Sequence, residues 1–105
     1  MTDPRLVLTT CGSIEEARHI ASALVERQLA ACVNIVPQVE SVYRWKGEVE
    51  SSTEVLLVIK TTADAFERLQ AVLVKLHSYE VPECLELTVT NGSKAYLNWI
   101  GESVR

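Results

Sequence analysis

Aromatic side chains and clustered basic residues are both scarce in this sequence. The 105 residues include one phenylalanine, three tyrosines and two tryptophans, so the core has to be built mainly from aliphatic side chains. The formal net charge is −4, and lysine and arginine are nowhere concentrated. A protein that binds nucleic-acid backbones needs a basic surface. The sequence therefore argues against a nucleic-acid-binding function.

Closely spaced cysteines and long apolar runs are also missing. Cys11, Cys32 and Cys84 are far apart and form no Cys-x-x-Cys motif, which argues against a zinc ribbon or a disulfide framework and is typical of a reducing compartment. The longest apolar run, 55–59, is too short to cross a bilayer. The first residues, MTDPRLVL, contain no basic region that leads into an apolar run. We therefore expect a cytoplasmic protein with no membrane association.

Hydrophobic periodicity predicts a single α+β domain over residues 1–105. Hydrophobic residues make up 48% of the chain and charged residues 23%, which is enough apolar material to bury one core. The pattern predicts the order β-α-β-β-α-β-α, the ferredoxin-like β-α-β-β-α-β sandwich with a C-terminal helix. The predicted strands are 5–10, 31–45, 47–60 and 85–90, and the predicted helices are 14–29, 64–76 and 94–104.

Two local signals mark the element boundaries most clearly. Ser13 followed by Glu16 is a capping box, which sets the start of the first helix. Lys46 and Gly47 predict a tight hairpin turn, because glycine readily supplies the positive φ that such a turn needs.

The second and third strands are long for a chain of this size. Both exceed the usual ~5–6 residues of a strand, and about fourteen extended residues span about 46 Å. A compact domain of this length has a diameter of only ~33 Å. The hairpin must therefore bend at Pro37 or project from the domain. A projecting ribbon would expose apolar side chains and free edges, which another subunit would cover.

The segment LHSYEVPEC, residues 76–84, holds a dense set of reactive side chains. His77, Tyr79, Glu80, Glu83 and Cys84 could form a metal site, an acid–base pair or a polar turn, and their spacing leaves all three open. A lone histidine at a helix end is more often a cap or a hydrogen-bonded loop residue than a ligand. The chain has no Ser/His/Asp or Cys/His pattern with a nucleophile elbow. We therefore do not expect an enzyme.

Most of the aromatic residues fall on segments predicted to be peripheral. Tyr43 and Trp45 lie near the hairpin tip, Tyr79 in the segment above, and Tyr96 and Trp99 in the last helix. The plainest interpretation is scattered core filling. Their concentration at the periphery favours a subunit interface, where large amphipathic rings contribute strongly to binding.

Five motifs occur in order along the chain: AACVNIVP, SVYRWKGEVE, EVLLVIKT, HSYEVP and YLNWI. With them the sequence resembles the CutA divalent-cation tolerance family over essentially its whole length. The resemblance implies a homotrimer of ferredoxin-like subunits, related in architecture to PII-like signalling proteins, with long β-ribbons packed between subunits. It also implies a cytoplasmic, non-enzymatic role in the response to copper and other divalent metal ions.

The resemblance further implies candidate copper ligands. The family's proposed ligands are a cysteine after the first strand, matched by Cys11, and two histidines ending the second helix, of which His77 matches the second. Leu76 stands in place of the other histidine, and Ser78 in place of the usual proline. We therefore expect weak copper binding at an incomplete site. The residues expected at the subunit interface or cleft are Tyr43, Trp45, Glu54, Lys60, Tyr79, Glu80 and Trp99.

A second hypothesis stands beside the cation-responsive trimer. The chain could be a PII-like regulatory module that binds a small molecule or a protein partner in clefts between subunits, with the metal incidental.

Overall fold

A computed structural model describes residues 3–105, so Met1 and Thr2 of the predicted domain lie outside the described residues. The predicted order β-α-β-β-α-β-α is confirmed, with one 3-10 turn at Ala63–Ala65. The strands are β1 (Pro4–Cys11), β2 (Cys32–Trp45), β3 (Glu48–Thr62) and β4 (Leu85–Thr88), and the helices are α1 (Ile14–Glu26), α2 (Phe66–Leu76) and α3 (Lys94–Ser103).

The four strands form one antiparallel sheet in the order β2-β3-β1-β4. This is the order of a ferredoxin-like sandwich, so the predicted α+β fold class is confirmed. Leu8 in the middle of β1 lies opposite Val58 on one side and Leu85 on the other. The outer edges of β2 and β4 have no strand partner within the described chain.

The hydrophobic core lies between one face of the sheet and the helices α1 and α2. Alternation along the strands points every second side chain toward these helices, because successive residues of a strand face opposite sides. The largest fully buried apolar side chains are Val7, Leu57 and Ile59 from the strands and Ile20, Leu24, Leu69 and Leu73 from the helices.

The opposite face of the sheet is also apolar, and helices cover only part of it. Strand pairing places Leu6 beside Leu87 and Leu8 beside Leu85, and paired residues lie on the same face. Leu85 and Leu87 are 56% and 42% exposed. We call this surface the open face; its apolar members are Leu6, Leu8, Val36, Leu56, Val58, Leu85 and Leu87.

Strands β2 and β3 form a long ribbon that both bends and projects. Pairing is interrupted between Val36 and Val39, where Gln38 has a φ of 61°. This bulge lies at the predicted bend beside Pro37. Beyond it pairing continues to the predicted turn, where Lys46 and Gly47 both have positive φ. The described chain measures 44 × 25 × 22 Å, which is elongated for a domain of this size.

The predicted end of the first helix is wrong by three residues. Helix α1 ends at Glu26 rather than at residue 29, because Gln28 takes a left-handed conformation with a φ of 59°. The amides of Gln28 and Leu29 then bond back to the carbonyls of Val25 and Leu24. This is the Schellman arrangement, in which glycine is the usual left-handed residue.

Candidate functional site

The segment after α2 returns the chain to the end of β1. Helix α2 stops at Leu76, and its C-cap His77 is already extended, with φ −76° and ψ 142°. The His77 side chain then reaches the carbonyl of Thr10, the neighbour of Cys11 in β1. The two predicted copper ligands therefore lie at one corner of the fold, where the ends of β1 and α2 meet the start of α1.

Both ring nitrogens of His77 have hydrogen-bond partners at this corner. Nε2 lies 2.7 Å from the carbonyl oxygen of Thr10, and Nδ1 accepts a 3.1 Å bond from the amide of Tyr79. These partners require the neutral tautomer with its proton on Nε2, because Nδ1 must keep a free lone pair. The side chain is 0% exposed. In this arrangement the ring has no lone pair to offer a metal.

Cys11 is equally unsuited to bind a metal as it stands. Its side chain is fully buried in the core. Burial, with smaller contributions from the carboxylates of Glu16 and Glu54, raises the pKa of the thiol from 9.0 to about 12. Copper is bound by the thiolate, which this environment disfavours. Among residues 3–105 no group of three or more His, Cys, Asp or Glu side chains could hold a metal ion. The residues present do not fit a preformed copper site.

Glu16 joins this corner through a contact that sequence analysis missed. Half of the predicted capping box forms, because Ser13 Oγ accepts a 3.1 Å hydrogen bond from the amide of Glu16. The Glu16 carboxylate instead binds Ser78. Burial alone would raise the carboxylate's pKa. The amide and hydroxyl of Ser78 outweigh this effect and hold the pKa below its ordinary value. Glu16 and Ser78 are 62 positions apart in the sequence, so no local sequence pattern could have predicted that they form a pair.

A cleft of about 840 Å³ opens between the ribbon and the segment after α2. Tyr79 connects the two walls of the cleft, because its hydroxyl donates a 2.6 Å hydrogen bond to the Glu54 carboxylate on β3. The cleft brings together five of the predicted interface or cleft residues: Tyr43, Trp45, Glu54, Tyr79 and Glu80.

The structure places the other two predicted interface residues elsewhere. Lys60 lies on the open face, where its ammonium bonds to Asn34 and lies 5.9 Å from the ring centroid of Tyr96. Trp99 packs against Tyr96 on α3, with ring centroids 5.4 Å apart. These two residues belong to the sheet face near α3 and not to the cleft.

The cleft carries negative charge without a compensating basic side chain in its lining. Its carboxylates are those of Glu50, Glu54, Glu80 and Glu83. Glu50 was not predicted, and Glu83 was predicted only as one of the reactive side chains of segment 76–84. Burial, and then the charge of Glu54, raises the pKa of Glu83. Such a surface attracts cations and repels phosphates and other anions.

None of the helices in residues 3–105 has the length and apolar character needed to span a membrane.

Comparison with known proteins gives the same family along nearly the whole chain. Residues 5–103 match the family described as CutA1 divalent ion tolerance protein. The divalent-cation tolerance protein CutA of Thermus thermophilus is 51% identical over 98 residues, which cover 93% of this chain and 95% of that protein. The chloroplastic protein CutA of Arabidopsis thaliana is 44% identical over 100 residues, covering 95% of this chain but 55% of that protein, so the chain spans about half of this relative.

A solved structure agrees in fold as well as in sequence. The divalent cation tolerance protein (Cut A1) from Thermus thermophilus has a TM-score of 0.95 to this chain at 49% identity, covering 97% of this chain and 99% of that one. This chain belongs to the CutA1 divalent ion tolerance family.

Proposed function

We propose that this divalent-cation tolerance protein works as a homotrimer and contributes to the response to metal ions without catalysing a reaction. The observation that carries the assembly is the open face. Its leucines and valines lie on one side of the sheet, and Leu85 and Leu87 at its margin are well exposed. Apolar patches of this kind on soluble proteins mark interaction surfaces.

The ribbon and the sheet edges support self-association. Val42 and Val49 near the ribbon tip are 68% and 66% exposed, and β2 and β4 have free edges in the described chain. A free edge can pair with a strand of another copy. Closed symmetry would let each copy cover its neighbour's apolar surface. The resemblance to the CutA family is the reason for proposing three subunits.

A charge placed on the open face tests this assembly. We expect Leu87→Glu to shift the protein from trimer to monomer in sedimentation equilibrium at micromolar concentration. Val25→Glu is the matched control, because Val25 is similarly exposed (41% against 42%) but lies on the outer side of α1. A parent protein that is monomeric across this range, or two variants that behave alike, would overturn the proposed trimer.

For the metal we propose weak copper binding at Cys11 and His77. Binding there requires the His77 ring to leave Thr10 or Tyr79 and the Cys11 thiol to lose its proton against a raised pKa. Both requirements lower the affinity. Copper titration of the parent against the Cys11→Ala, His77→Ala double variant measures the site. If the two proteins titrate alike, copper is not bound here.

The regulatory-module hypothesis is supported only by the acidic, aromatic cleft, whose volume suits a small molecule. It becomes the better account if the double variant keeps all copper binding. For location we propose the cytoplasm, because Cys11, Cys32 and Cys84 are all free, as is usual in reducing compartments.

A further inference from the structure

Three consecutive residues after α2 each bond to a different element of the fold. His77 bonds to the backbone of β1, Ser78 to Glu16 of α1, and Tyr79 to Glu54 of β3. The segment therefore has separate attachments to the elements that surround it. The middle attachment joins two donors to one carboxylate and lies closest to solvent.

Ser78 holds the Glu16 carboxylate with two donors. Its amide lies 2.6 Å from Oε2 and its hydroxyl 3.0 Å from Oε1, so each carboxylate oxygen receives one hydrogen bond. Hydrogen bonds to an ionised acceptor are stronger than those between neutral groups. The carboxylate is 16% exposed, so water can compete for it. This contact can open without unfolding the core.

The ring of His77 lies directly beside this contact. Glu16 Oε2 lies 3.7 Å from Nδ1 of His77, and the ring packs against Tyr79 with centroids 4.7 Å apart. Because Ser78 is the next residue in the chain, its release would let the backbone of the segment move away from α1. The ring would then lose its bonds to Tyr79 and Thr10.

We propose that Glu16 and Ser78 form a latch that keeps His77 closed against β1, so that its imidazole becomes available to any ligand or reagent only when the latch opens. The latch is a contact within the subunit that blocks access to the imidazole of His77. It goes beyond the proposed metal function, because it governs access to the ring whether or not copper binds there.

Acylation by diethyl pyrocarbonate tests the latch directly, because the reagent attacks an unprotonated ring nitrogen with a free lone pair. His19 provides an internal reference, since it is exposed while His77 is buried. Peptide mass spectrometry follows the two histidines separately. In the parent we expect His19 to react quickly and His77 to be protected.

The variants Ser78→Ala and Glu16→Gln each weaken the latch. We expect either change to accelerate acylation of His77 by about tenfold, because each removes about one net hydrogen bond from the latch. The rate at His19 should stay the same. Glu15→Gln is the matched control, because Glu15 is an exposed carboxylate in the same first turn of α1. It should leave both rates unchanged.

Three results would overturn the latch: unchanged protection of His77 in both variants, equal acceleration in Glu15→Gln, or global loss of helical circular dichroism in both variants. The last counts against it because a latch releases the segment and leaves the core intact. The assay contains no copper, so the latch and the proposed copper site fail independently.

Discussion

Tyr79 donates a 2.6 Å hydrogen bond from its hydroxyl to the carboxylate of Glu54, which lies 25 positions earlier on β3. The bond joins the segment after α2 to the base of the ribbon and so sets one wall of the cleft. The phenol has to stay protonated to donate. Burial first, and then the hydrogen bond to Glu54, raises its pKa, so the bond persists throughout the neutral range.

Tyr79→Phe should lower the free energy of unfolding by about 1–2 kcal/mol, because a half-buried hydrogen bond to a charged acceptor is lost while the ring remains. Urea denaturation measures the change. Tyr43→Phe is the control, since the hydroxyl of Tyr43 lies 3.3 Å from the hydroxyl of Ser52 on the exposed ribbon. Equal effects of the two variants would contradict the structural role of the Tyr79–Glu54 bond.

The free energy of unfolding should fall as the pH rises from about 9 toward about 12, and Cys11 should be one cause. In the folded protein the pKa of the thiol is raised from 9.0 to about 12, first by burial. Between these values the unfolded chain loses the proton while the folded chain keeps it, so alkaline pH favours unfolding. Denaturation of Cys11→Ala across this range should show a shallower decline. Parallel curves for parent and variant would refute the assignment.

Trp45→Ala and Tyr43→Ala should each weaken assembly by about 2 kcal/mol or more if the rings anchor the subunit interface. Both side chains are substantially exposed in the single chain, so their loss should leave the subunit core intact. Sedimentation equilibrium measures assembly and far-ultraviolet circular dichroism measures the fold. Val74→Ala, on the exposed side of α2, is the control. Equal loss of fold and assembly would instead place the rings in the core.

Leu76→His should strengthen copper binding, because it adds an imidazole donor beside His77. Leu76→Gln is the size-matched control without an imidazole. Both changes should lower thermal stability, since Leu76 packs against the hydrophobic core. Isothermal titration with copper separates the two effects. Equal copper affinity in the two variants would show that position 76 cannot supply a ligand.

Copper affinity should rise with pH, because the Cys11 thiol has to lose its proton to bind the metal and burial raises its pKa to about 12. Titrations at a series of pH values, with Cys11→Ala as the reference, measure this dependence. A pH profile that is the same in parent and variant would show that Cys11 takes no part.

Much of the fold could be predicted because its signals are local. Apolar periodicity located the strands and helices, and the pair Lys46 and Gly47 marked the hairpin turn at which both residues have positive φ. The end of α1 was missed for an equally local reason. Gln28 occupies the left-handed position at which glycine is the usual signal, so the sequence carried no warning.

The candidate site depended on contacts that no local pattern contains. Resemblance pointed to Cys11 and His77, but only the tertiary structure showed that the thiol lies in the core between the sheet and the helices and that both ring nitrogens have partners. The pairing of Glu16 with Ser78 joins positions 62 residues apart. Each side chain, seen alone in the sequence, is an ordinary polar residue near a helix end.

The open face shows the same division. The alternation of Leu85, Glu86 and Leu87 is visible in the sequence, and the pairing of β4 with β1 places both leucines beside leucines of β1 on one side of the sheet. Which side would be left uncovered was decided only when α1 and α2 packed against the other face of the sheet. The two-residue period of a strand determines which neighbouring side chains share a face, whereas burial depends on which elements from distant parts of the sequence pack against that face.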